Sequence, residues 1–263
     1  MSLTGKKIKA AYKDFVHSDN SNNGIGLAVT RLKTGKGDSL PISVSTKTCS
    51  ITPVTNTTDT FNVKNYSGTH LIKCNTTDMN VQAGQNNYYV NSSCKEFSLF
   101  DFTPAAGYHT PMITNPGLVA TSGDTYVNNT GFGANGADPA ATLDFSSNPT
   151  AMSKVLFPTM WHVPYECKLD AGKYFIFCEA NNNIEIHAMK YQISSSGGTL
   201  GDLSGGTVLG TASLTANNTG IVSGTLSFST TDIEADRVVL VFIENTTATS
   251  QMSANVQLQY HLK

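Results

Sequence analysis

The sequence predicts an all-β fold: a short N-terminal helix and hairpin, a slender shaft-like β segment, and a C-terminal antiparallel jelly roll or β-sandwich. Three observations carry this. Charged residues make up 14% of the 263-residue chain, against about 25% in ordinary globular domains. Asn, Thr, Ser and Gly are abundant instead, which suits strands and turns. Strand-length apolar runs alternate with turn-forming clusters along most of the sequence after residue 25.

Four segments are expected: 1–50, 51–98, 99–153 and 154–263. In the first, Ile8, Ala10, Ala11 and Phe15 share a face at helical spacing, predicting a helix over about Thr4 to Val16 that stops at the turn formers His17 to Gly24. A strand pattern follows at Gly26 to Lys33, then the glycine turn Gly35-Lys36-Gly37-Asp38, then Leu40, Ile42 and Val44 in alternation. Lys36 lies between two glycines, but GxxxxGK[ST] is absent, so a hairpin is expected there and not a phosphate loop.

Between Thr58 and Val90 the apolar groups are too short for helices: Phe61 and Val63; Leu71, Ile72 and Cys74; Met79 and Val81; Tyr88 and Val90. Asn65 to Gly68, Asn75 to Asp78 and Gly84 to Asn87 are the predicted turns. Strands this short cannot enclose a core alone. Phe61, Val63, Ile72, Cys74 and Val81 are therefore expected to be covered by a neighbouring domain or, as trimer packing residues, by other copies of the chain, gaining about 25 cal/mol per Å² of apolar surface removed from water.

Prolines at 104, 111 and 116 interrupt regular strands in the junction. Residues 121–150 form a Gly-, Asn-, Asp- and Ala-rich loop in which Tyr126 and Phe132 are expected to be exposed host contacts. From 154 onward seven or eight strand-length runs recur with turns at Asp170 to Lys173, Asn181 to Asn183 and Asn217 to Gly220. The aromatic group Trp161, Tyr165, Tyr174, Phe175 and Phe177 reads as sandwich core.

No catalytic, cofactor-binding or metal-ligating residues are expected. The six histidines show no HExxH, HxH or HxxxH spacing. Asp232, Glu234 and Asp236 lack the EF-hand pattern and read as a polar approach to a strand. A serine-nucleophile GxSxG is absent, so the chain is read as non-enzymatic. The five cysteines match no zinc spacing and read as small core residues; Cys167 and Cys178 could meet across neighbouring strands. Met1 to Lys13 lacks the apolar run of a secretory signal, and no membrane insertion is expected.

Net charge is −2, but residues 1–50 hold eight basic residues against three acids, so the remainder is acidic. Lys6, Lys7, Lys9 and Lys13, with Tyr12 and Phe15, are the expected docking residues for an acidic protein surface. Only Tyr12 falls among these lysines, too few aromatic residues for a nucleic-acid stacking platform, so no nucleic-acid partner is expected; a solvated helix face is the alternative reading.

Three blocks carry a resemblance. They are Ile8 to Phe15 with Asp19 to Gly26 and Arg31 to Leu40; Thr60 to Lys73; and Ala106 to Ile113 with Val163 to Leu169. They resemble virion structural and fibre-type proteins of marine tailed bacteriophages. The resemblance implies a homotrimer with an N-terminal virion-attachment part, a β-rich shaft and a jelly-roll head of the tumour necrosis factor and C1q class. It also implies assembly into the virion in the host cytoplasm. The expected role is a tail fibre or receptor-binding protein contacting a host-surface glycan or protein. Two further roles remain open: a capsid decoration, head fibre or cement protein, and a polysaccharide-degrading spike.

Overall fold

The structure, a computed structural model, describes residues 16–18, 25–34, 36–84, 88–90, 92–103, 107–114, 132–133, 136–144, 156–195, 202–246 and 250–263. The chain divides into two compact units, Met1–Val90 and Asn91–Lys263. The described residues are all β apart from short 3₁₀ turns, and no helix among them is long and apolar enough to cross a membrane. The expected N-terminal helix falls on residues 1–15, outside the described residues. His17 and Ser18, read from sequence as part of a turn, instead form a short strand.

In the first unit, β1 (His17–Ser18), β2 (Thr30–Lys33), β3 (Ser39–Val44) and β4 (Cys49–Ile51) pair in chain order as an antiparallel sheet. The expected glycine hairpin joins β2 to β3. Gly37 adopts φ 94°, and its N–H donates to Thr34 O at 2.8 Å. At the next turn the Ser45 hydroxyl accepts from the N–H groups of Lys47 and Thr48 at 3.1 and 3.0 Å, replacing backbone partners that a tight turn cannot supply.

A second antiparallel sheet, also in chain order, comprises β5 (Phe61–Lys64), β6 (His70–Asn75), β7 (Asn80–Ala83) and β8 (Tyr88–Tyr89). Asn side chains build its turns. Asn65 Oδ1 accepts from Thr69 N at 2.9 Å with Gly68 at φ 81°. Asn75 Oδ1 accepts from Thr77 N and Asp78 N, each at 3.0 Å. Met79, expected to open a strand, sits in the left-handed region at φ 53° and closes this turn.

The second unit is a two-sheet antiparallel sandwich. Its strands are β9 (Ser92–Phe102), β10 (His109–Pro111), β11 (Trp161–Val163), β12 (Cys167–Cys178), β13 (Asn182–Ile193), β14 (Leu203–Ala216), β15 (Val222–Thr225), β16 (Ser227–Phe228), β17 (Asp232–Ile233), β18 (Arg237–Asn245) and β19 (Met252–Leu262). One sheet runs β15-β12-β19-β9, with β17 also on β12. The other runs β10-β18-β13-β14-β16, with β11 also on β18. Strands upstream of 154 also belong to this second unit, Asn91–Lys263, because β9 pairs with β19 and β10 with β18.

Alternation builds the core between the sheets. Phe97, Leu99, Tyr174, Ile176, Val256 and Leu258 meet Ile184, Ile186, Leu209, Val239, Val241 and Ile243 across it. Burying each large apolar side chain contributes about 1.5–3 kcal/mol. β18 is apolar on both faces, and its other face, Val238, Leu240 and Phe242, joins Met189, Tyr191 and Leu203 in a second core. Phe132, Leu143 and Leu156, from outside the main strands, complete that core.

Candidate assembly surface

Residues directly opposed in an antiparallel ladder share a face. In the second sheet Phe61 opposes Cys74, which opposes Val81, and Val63 opposes Ile72, which opposes Ala83. All five residues expected from sequence to pack between chains thus lie on one face. That face is poorly covered: Phe61 and Val63 are each 38% exposed and Ile72 44%. The reverse face carries Asn62, Lys73, Asn75, Asn80 and Gln82, of which Asn80 is 3% and Gln82 9% exposed. Polar side chains are covered while apolar ones stay half bare, the opposite of what water favours for an isolated sheet.

Lys6, Lys7, Lys9, Tyr12, Lys13, Phe15 and Tyr126 lie outside the described residues. Phe132 is not exposed as expected of a host contact: it is 1% exposed and packs against Phe242, ring centroids 6.0 Å apart. A phenylalanine in a Gly- and Asn-rich loop suggests a surface anchor, yet the outer face of β18 needs an apolar cover. The aromatic group divides by strand parity. Trp161 and Tyr174 are buried, whereas Phe175 and Phe177 point outward from β12 and Tyr165 is exposed. Cys167 and Cys178 stand at opposite ends of β12 and cannot meet, and both are free. Burial pushes the Cys167 thiol up to about 11, which keeps it protonated and unreactive.

The three carboxylates near β18 do not converge. Asp232 pairs with Lys263 at 2.7 Å, Glu234 with Lys190 at 3.0 Å and Arg237 at 3.3 Å, and Asp236 lies 3.5 Å from His162. Hydrogen bonding and charge from Lys190 outweigh burial at Glu234 and hold its carboxyl below the usual range.

One grouping escaped local spacing altogether. His109 on β10 opposes Glu244 on β18, which opposes Glu185 on β13, and His187 lies two residues along β13 on the same face. His109, His187 and Glu244 are all buried, with candidate ligand atoms within 4.8 Å of one another. His109 Nε2 is 3.4 Å from Glu244 Oε2, and the His109 and His187 rings meet edge-on with centroids 5.2 Å apart. Burial, reinforced by His109, lowers the His187 pKa despite Glu185 and Asp138 nearby; burial also raises that of Glu244. These residues come from three strands distant in sequence, so only sheet register reveals them.

No family model matches the chain, and no curated protein matches it. Among solved structures, a mutant VP2 protein of infectious bursal disease virus, in derived T=1 particles, aligns at a TM-score of 0.19 and 13% identity. That alignment covers 93% of this chain and 48% of the viral protein, so the chain spans about half the length of that structure.

Proposed function

We propose that the chain is a non-enzymatic virion structural protein of tailed-phage type. It assembles as a homotrimer through the Phe61, Val63, Ile72, Cys74 and Val81 face, and its sandwich head meets a host-surface glycan or protein. The half-bare apolar face above a buried polar one carries this reading, because further copies of the same sheet would cover it with matching chemistry. The sequence resemblance to fibre-type proteins and the division into a short-stranded unit and a sandwich unit agree with it. The basic N-terminal segment docks on another virion protein.

Native mass measurement of the intact chain tests the assembly: a trimer is expected, and a monomer that persists at micromolar concentration overturns it. Removing residues 1–50 is expected to leave the head folded and abolish incorporation into particles. Labelled antibody on particles gives the location, with label at the tail expected. Label on capsomers or vertices overturns the receptor-binding role in favour of a capsid decoration protein. New reducing ends after incubation with host exopolysaccharide would overturn the non-enzymatic assignment.

A further inference from the structure

The geometry points to a buried binding site for one divalent transition-metal ion of the zinc class, held by His109, His187 and Glu244 on the outer face of the β10-β18-β13 sheet. Both nitrogens of His109, both nitrogens of His187 and Glu244 Oε2 are buried and make no well-aligned hydrogen bond among the described residues, although carboxylates stand 3.5 Å from each His187 nitrogen. Folded proteins almost always satisfy such groups, so five in one cluster point to a further partner. Two imidazoles and a carboxylate are the donor set of zinc and related ions.

The spacing agrees. At 3.4 Å, His109 Nε2 and Glu244 Oε2 are not hydrogen-bonded to each other. Donors about 2.0–2.2 Å from a shared tetrahedral ion stand roughly 3.3–3.5 Å apart, so this separation fits one edge of such a site. The 4.8 Å bound on the three donors leaves His187 a short inward adjustment.

The surroundings supply what a metal site needs beyond its ligands. Asp138 Oδ1 lies 3.5 Å from His187 Nδ1, and Glu185 Oε2 lies 3.5 Å from His187 Nε2. Whichever nitrogen binds the ion, the other faces a carboxylate able to orient the ring. Gly136 N–H donates to Glu244 Oε1 at 3.3 Å, leaving Oε2 available. Gly133, at φ 125°, lets the covering segment approach: a Cβ there would sit 3.0 Å from His109 Nδ1 and 3.1 Å from backbone at Asp138 and Pro139. With Phe132 and Phe242 alongside, the three donor residues are buried, and an ion held there would add cohesion to the sandwich unit. It differs from the His261–Asp170 pair, where a 2.7 Å contact already satisfies the imidazole.

The test uses the full-length protein, stripped with chelator at pH 7.5 and titrated with Zn²⁺ or Co²⁺. One equivalent per chain is expected, with a raised melting temperature and, for Co²⁺, the visible absorption of a low-symmetry tetrahedral centre. His187→Gln and Glu244→Gln are expected to weaken Co²⁺ binding at least about tenfold while far-ultraviolet circular dichroism stays unchanged. Failure of the stripped, folded wild type to bind either ion at a tenfold molar excess overturns the site. So does a folded His187→Gln variant that binds Co²⁺ as the wild type does. If both variants fail to fold, the wild-type stoichiometry and cobalt spectrum decide it alone.

Discussion

His261 Nδ1 lies 2.7 Å from Asp170 Oδ1, with both side chains buried, at the point where β12 carries one residue more than β19 can pair. Register shifts between Leu169 and Ala171, so Asp170 is the extra residue of a bulge. The bulge changes which residues point inward, from Cys167 and Leu169 before it to Tyr174, Ile176 and Cys178 after it. Asp170→Ala is expected to destabilise the sandwich unit by about 1–3 kcal/mol, because the buried His261 Nδ1 then loses its 2.7 Å contact with Asp170. Urea denaturation checks this; Asp170→Asn, which keeps an acceptor oxygen, should recover part of the loss.

Charge placed on the bare sheet face should break assembly without unfolding the chain. Ile72→Glu puts a carboxylate beside Val63 and Ala83, the residues that oppose Ile72 across its two ladders. Since Ile72 is 44% exposed, the single chain tolerates the change, while a packed interface would have to desolvate the new charge. Sedimentation is expected to show a shift from trimer to monomer with an unchanged far-ultraviolet spectrum. Lys73→Glu, on the reverse face, should leave the mass unaltered, and equal effects from the two substitutions would refute the face assignment.

The turns were legible because their chemistry is local. Asn65 with Gly68, and Asn75 with Asp78, close their loops by side-chain to backbone bonds written within four residues. That Phe61, Val63, Ile72, Cys74 and Val81 share one sheet face was equally legible, since a period of two places Phe61 with Val63 and Ile72 with Cys74. What depends on register between distant strands was not. Neither the pairing of β9 and β10 into the sandwich nor the meeting of His109, His187 and Glu244 leaves a mark in any short window. Phe132 misled for a related reason: its neighbours are polar, and its burial comes from Phe242, far along the chain.

The buried cluster should make the metal-free protein's stability depend on pH in two opposed ways. His187 has a lowered pKa, so its contribution is present above its unfolded value near 6.5 and is lost as pH falls through the folded value. Glu244 has a raised pKa, so its contribution is present below its unfolded value near 4.5 and is lost as pH rises through the folded value. The groups facing them are His109, Glu185 and Asp138. As pH falls below 6.5, urea midpoints of chelator-treated wild type should drop relative to those of His187→Gln. An identical slope in wild type and His187→Gln would assign the acid sensitivity to another group.

Gly133 and Gly68 separate backbone strain from steric closure. Both have positive φ, 125° and 81°, but a Cβ at Gly68 would meet nothing within 4 Å. Gly68→Ala should therefore cost only the left-handed backbone penalty, about 1–2 kcal/mol. Gly133→Ala adds contacts at 3.0–3.1 Å with His109 Nδ1, Asp138 O and Pro139 Cα, two of them backbone atoms that cannot swing away. The covering segment must lift, so the substitution is expected to cost more than Gly68→Ala in urea denaturation. It should also weaken Co²⁺ binding, which Gly68→Ala leaves untouched. Equal denaturation midpoints for the two variants would show that the segment over His109 is not closely seated.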